Sequence, residues 1–241
     1  MRSIIKLLLA ALLVSGPAFT FAKLHPAARI EDRHLSGFNA VHLAGSFDVY
    51  ITQGATESVK VEAPEDVIGH IVTEVEGGVL KIYNKNDHFH WGDLFGGGHR
   101  KIAIYVSAKD LNSISVTGSG DMFFKEGLHT NSLRLKVSGS GDMVGKINVK
   151  TLESSISGSG DMTLSGHAEN STVSVVGSGD YRAHNLVTVN TAVRVAGSGD
   201  ASINASNKVD ASVSGSGDIR YTGGAKIISS SKSGSGDIGR D

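Results

Sequence analysis

The chain has no cysteine, only three prolines and a single tryptophan among 241 residues. Without cysteine there is no disulfide framework, and no thiol to carry a lipid after leader cleavage. Burial and backbone pairing alone must hold the fold. Neither charge sign dominates, with 23 Lys and Arg against 24 Asp and Glu. Past the first 22 residues, which lose Arg2 and Lys6, the balance is 21 against 24, or −3. That argues against a nucleic-acid partner. Long apolar runs are lacking too, apart from residues 4–14 near the start.

That run has the length of a signal-peptide core and is too short to span a bilayer well. Arg2 and Lys6 precede or begin it, and Thr20-Phe21-Ala22 offers a small-x-small cleavage site. Residues 1–22 therefore read as a signal peptide. An uncleaved anchor is the alternative, which the short run disfavours. The expected location is exported: periplasmic, cell-surface or secreted. No transmembrane helix is expected in the mature chain.

What is abundant is glycine, 31 residues, beside many valines, isoleucines, serines and threonines. This is a β composition with glycine supplying turns. The glycines are ordered. Gly-Ser-Gly-Asp ends at Asp121, Asp142, Asp161, Asp180, Asp200, Asp218 and Asp237, in steps of 21, 19, 19, 20, 18 and 19 residues. So regular a period means one unit stacked on copies of itself.

Alignment on the aspartate gives a column of Val116, Val137, Ile156, Val175, Val195 and Val213 before the turn. Two residues earlier stand Ile114, Leu135, Ser154, Val173, Val193 and Ala211, with mostly polar residues between the columns. That is the in–out pattern of a half-buried strand. After the aspartate come Met122, Met143, Met162, Tyr181, Ala201, Ile219 and Ile238, and two later Phe124, Gly145, Leu164, Ala183, Ile203 and Tyr221. These form a second inward strand. Looser loops are expected between units, as at 166–171 and 204–208.

A hairpin meander would not put like residues in register, and a propeller blade needs about twice this period. A coil of 19–20 residues returns the chain one strand spacing along, roughly 4.8 Å. The expected fold is therefore all-β: a single-stranded parallel β-helix, or solenoid, wound right-handed like other parallel crossovers. Gly45-Ser46-Phe47-Asp48, flanked by Val41, Leu43, Val49 and Ile51, reads as a degenerate eighth copy. The strand-like runs between it and Asp121 read as further coils. The expected division is a lead at 23–33 and one domain at 34–241. Within it, irregular coils fill 34–117, with a loop at 84–100, and regular coils fill 118–241. Ser230 and Lys232 make the last inward column polar, which suits a terminal coil.

The SGSGD turns at this period, behind FNAVHLAGSFDVYITQG, resemble the family "putative auto-transporter adhesin, head GIN domain". VIGHIVTEVEGGVLKIYNKN and SGSGDIRYTGGAKIISSSKSGSGDI fit the same pattern, and the resemblance spans about residues 34–240. It implies a bacterial extracytoplasmic β-helix and brings no catalytic residues.

Two roles compete for the repeated turn. One is architectural: glycine permits close backbone approach, and Ser and Asp accept hydrogen bonds from turn N–H groups. The other is a calcium ladder on Asp121, Asp142, Asp161, Asp180, Asp200 and Asp218, since stacked carboxylates repel and Ca²⁺ takes carboxylate oxygens. An enzyme acting on polysaccharide is a third reading, by analogy of fold. It needs an irregular acid–base group, whereas these acids repeat. The turn is no serine elbow either, because Ser138 and Ser157 stand where that motif needs glycine.

The irregular loop carries His88, His90 and His99, candidates for zinc or copper, and Phe89, Trp91 and Phe95, candidates for contacting a protein or a glycan. A surface loop whose aromatics lie over the core is the plainer reading. The sequence thus points to a non-enzymatic exported scaffold or adhesion-like binding module, with no cofactor and an unidentified protein or glycan partner.

Overall fold

The structure, a computed structural model, describes residues 28–85 and 102–241. The leader at 1–22 and the loop candidates His88, Phe89, His90, Trp91, Phe95 and His99 lie outside the described residues. In chain order the first strands are β1 (Ala28–Asp32), β2 (Ala40–Gly45), β3 (Asp48–Gln53) and β4 (Ser58–Pro64). A short helix, α1 (Glu65–Ile68), leads to β5 (Ile71–Glu76), β6 (Val79–Asn84), β7 (Ala103–Ala108) and β8 (Ser113–Gly118). Five long strands follow: β9 (Asp121–Gly139), β10 (Met143–Gly158), β11 (Met162–Gly177), β12 (Tyr181–Gly197) and β13 (Ala201–Gly215). The last three are β14 (Ile219–Thr222), β15 (Lys226–Gly234) and β16 (Ile238–Arg240).

Strands β9 to β13 pair in parallel, each with the next, and like residues stack on like. Val116 pairs with Val137, then come Ile156, Val175, Val195 and Val213 in one file. All six are buried. The result is a parallel β-solenoid of about seven turns. A third set of inward residues closes each coil: Leu128 and Leu133, Ile147 and Leu152, Ala168 and Ser171, Leu186 and Thr191. Packing alternates large with small where the file demands it. Phe124 points at Gly145 of the next coil, and its ring fills the space a Cβ there would occupy.

The loops expected at 166–171 and 204–208 are strand instead, inside β11 and β13. Parallel register overrides their turn-forming composition, because identical amides can stack. Asn190 donates its side-chain amide to Asn170 at 3.0 Å, and Asn207 donates to Asn190 at 2.8 Å. Polar groups also enter the core. Thr188 donates to the Asn204 carbonyl at 2.8 Å and lies 2.7 Å from the Thr191 hydroxyl. Tyr181 is fully buried, and its hydroxyl and that of Ser154 have no partner in hydrogen-bond geometry among the described residues. Burial pushes the Tyr181 phenol up to about 12, tempered by the nearby Ser154 and Ser171 hydroxyls.

The N-terminal coils do not stack in the order of the chain. β2 pairs with both β6 and β8, and β3 with both β7 and β9, all in parallel. The degenerate coil therefore sits in mid-stack, with Gly45 opposite Gly118 and Asp48 opposite Asp121. Residues after it fold to its other side. There the ladder turns antiparallel, β1 on β4, β4 on β7 and β5 on β6, so not every run is a further parallel coil. For β5 and β6 the cause is local. Gly77 and Gly78, both at positive φ of 59° and 78°, form a two-residue hairpin turn that reverses the chain. α1 buries Val67 and Ile68 beside these strands.

Candidate functional site

The aspartates predicted from the repeat form one file along the solenoid. The Oδ1 of each accepts the backbone N–H of the next aspartate. Asp142 N lies 2.8 Å from Asp121 Oδ1, and Asp161 N lies 2.9 Å from Asp142 Oδ1. The same bond continues from Asp180 to Asp161, Asp200 to Asp180, Asp218 to Asp200 and Asp237 to Asp218, at 2.7–2.9 Å. The acceptor role expected for aspartate is real, but the donor belongs to the next coil rather than to the aspartate's own turn. The backbone pairs as well: Met143 N donates to Asp161 O at 2.9 Å, and Met162 N donates to Asp180 O at 2.9 Å.

The turn must be glycine because neighbouring turns touch through their backbones. Ser159 N and Gly160 N both donate to Gly139 O, at 2.8 and 3.0 Å. A Cβ on Gly160 would collide with the Gly141 carbonyl oxygen. Gly158 adds a φ of +126°, in the region that L side chains avoid.

Arginines meet the outer carboxylate oxygens over part of the file. Arg182 reaches Asp161 Oδ2 at 2.5 Å and Asp180 Oδ2 at 2.8 Å. Arg220 reaches Asp218 at 3.0 Å and Asp237 at 3.7 Å. Lys232 lies 2.8 Å from Asp237 and, with the Ile238 N–H, holds that carboxyl below the usual range. At the other end burial raises the Asp121 carboxyl, the Asp142 N–H opposes it, and repulsion from Asp142 and Asp48 adds to the rise. Among the described residues no three His, Asp or Glu side chains converge as a metal site. The file is a ladder of identical bonds.

Three lateral features escaped the period-based reading. The first is an outward aromatic ladder from coils far apart in sequence. Tyr105 stacks on Tyr50 at 5.5 Å and Tyr50 on Phe123 at 5.1 Å. Lys125 Nζ sits 5.2 Å from the Phe123 ring centre. The second is an open polar groove of about 520 Å³ lined by His129, Asn148, His167, Asn131, Lys150 and Glu169. Asn148 pairs with His129 on one side and His167 on the other, so the groove runs across three coils. The third is a half-open cavity of about 240 Å³ beside Lys125, Lys146 and Arg182. A half-buried histidine–serine pair also occurs: His42 Nδ1 lies 2.7 Å from Ser115 Oγ. Burial, then Lys81 and Lys136, holds the His42 imidazole below its usual range. No residue helix is long and apolar enough to cross a membrane among the described residues.

Comparison with known proteins agrees with this geometry. No curated protein matches significantly. The crystal structure of a putative adhesin from Bacteroides fragilis NCTC 9343 is 26% identical, with a TM-score of 0.79 over 89% of this chain and 97% of that one. A putative lipid binding protein from Parabacteroides distasonis ATCC 8503 is 25% identical, with a TM-score of 0.71 over 89% and 96%. A putative adhesin from that organism, 24% identical with a TM-score of 0.72 over 90% and 98%, shares the fold. A family model matches residues 37–225, and the chain belongs to that family, the putative auto-transporter adhesins with a head GIN domain.

Proposed function

We propose that the protein is an exported, non-enzymatic binding module of adhesion type, which presents a rigid lateral surface to an extended glycan or protein. The observation that carries this reading is the uniformity of the aspartate ladder. Its acids are engaged by architecture, each in the same bond to the next coil. An acid–base mechanism needs asymmetric groups with separated roles. The polar groove across His129, Asn148 and His167 instead offers hydrogen-bonding groups at strand spacing, as a repeating polymer requires. Export follows from the leader-like residues 1–22. The adhesin names of similar structures point the same way.

The test is an immobilised glycan and matrix-protein array probed with residues 23–241, with product analysis on every bound glycan. Retention of one ligand class without chain shortening is the expected result. Release of shortened or unsaturated products would make the protein an enzyme.

A further inference from the structure

The half-open cavity of about 240 Å³ lies where the parallel register slips. The ladder shifts between Gly145 and Ile147 where β10 meets β9, between Thr163 and Ser165 where β11 meets β12, and between Ala183 and Val187 where β12 meets β13, while β10 and β11 stay in register. Bulges re-aim side chains, and they recur beside functional sites. Here they gather cations. Lys125, Lys146, Arg182 and His184 line the cavity, with the Thr163 and Ser165 hydroxyls between them. Arg182 is held by Asp161 and Asp180. Lys125 and Lys146 have no carboxylate partner among the described residues, and both are exposed. Two uncompensated ammonium groups around hydroxyl donors form an oxyanion site.

The cavity is smaller than the roughly 300–1,000 Å³ of sites for whole small molecules. It takes one unit of something longer. The surface continues on one side only in a manner suited to that. Phe123 pairs in register with Val144 at the cavity wall and stacks on Tyr50, which stacks on Tyr105. From Thr163 to Tyr105 is four coil spacings, roughly 19 Å. Aromatic side chains offer apolar contact together with polar edges, which matches the C–H and O–H surface of a sugar.

We propose that this cavity binds the carboxylate or sulfate group of an acidic oligosaccharide, whose neighbouring units lie along the Phe123–Tyr50–Tyr105 strip. The proposal rests on the binding-module reading and names the ligand class. A membrane is disfavoured by shape. Anionic bilayers attract clusters of four to eight Lys or Arg and convex apolar wedges. The cations here line a concavity instead.

The experiment is calorimetric titration of residues 23–241 with four probes. They are tetragalacturonate, a sulfated heparin hexasaccharide, neutral maltotetraose, and vesicles of phosphatidylcholine with phosphatidylserine. Binding of one acidic oligosaccharide but not maltotetraose is expected, weakening with salt. Lys125→Ala and Lys146→Ala should each lower affinity roughly tenfold. Both lysines are exposed, so an unchanged melting temperature certifies the fold of each variant. Equal binding of neutral and acidic sugars, binding of vesicles alone, or affinity unmoved by both substitutions would overturn the proposal. So would no binding of any probe; the binding-module reading then survives only if the array retains another ligand.

Discussion

Each ladder aspartate sits one coil from its neighbours, where two carboxylates repel by about 0.6–0.8 kcal/mol even at water's dielectric constant. Donation of an N–H from the next coil to each Oδ1 from Asp121 to Asp218 meets part of that cost, and Arg182 and Arg220 meet more. Asp121 gains least. It pairs with Asp48 on one side and Asp142 on the other, and burial raises its carboxyl. A carboxyl raised on folding binds its proton more tightly in the native state. Its contribution favours folding at low pH and declines as pH rises from the unfolded value, near 3.9, through the folded one. Asp121→Asn keeps an Oδ1 acceptor for Asp142 N and removes the charge. At pH 7 the variant should melt at or slightly above the wild type, and the difference should close as pH falls below the carboxylate range. A lower melting point at pH 7 would mean that the charge at Asp121 is needed, and that repulsion does not govern this end of the ladder.

The coil is the unit that specifies the structure, and its tolerance is narrowest at the turn. Gly160→Ala places a methyl against the Gly141 carbonyl oxygen, in a ladder that is paired on both sides and cannot shift. Overpacking of this kind costs about 1–3 kcal/mol, and more where backbone must move. Gly69→Ala is the control, because nothing lies within 4 Å of its Cβ and its φ is −72°. Urea unfolding should show a loss of about 3 kcal/mol for the first and almost none for the second. Equal midpoints would refute the close-contact account. The same contact explains what could be read from the sequence. Parallel register puts Val on Val and Gly on Gly, so the inward columns and turns announced themselves through repetition. Gly166, His167 and Asn170 looked like loop, since their strand state depends on the neighbouring coil rather than on propensity. Tyr50, Tyr105 and Phe123 belong to coils separated by long insertions, so no period links them. The basic cavity arises where register slips; the unequal steps between turns signal that slips occur, but not where in the coil they fall or which side chains they gather.

Across the whole molecule, the ladder decides whether folding depends on a cation. Calcium takes six to eight oxygens, several of them carboxylate. Along this file each Oδ1 from Asp121 to Asp218 already accepts an N–H. The Oδ2 atoms of Asp161, Asp180 and Asp218 face arginine. An ion bound at Asp161, Asp180 or Asp218 would compete with those arginines, and one bound to any Oδ1 would share it with the N–H that keeps the coils in register. A site filled at a hundred times its dissociation constant would add about 2.7 kcal/mol. For a domain of this length that corresponds to about 5–11 °C in melting temperature. The melt of residues 23–241, followed by circular dichroism, should instead coincide in chelator and in millimolar calcium, with one β-type transition. A calcium-dependent rise of that size would restore the aspartates as ligands and tie folding to arrival in a calcium-rich compartment. Coincident curves leave the stack self-sufficient, stabilised by its own backbone, so that its lateral surface is free to differ from coil to coil without cost to the ladder.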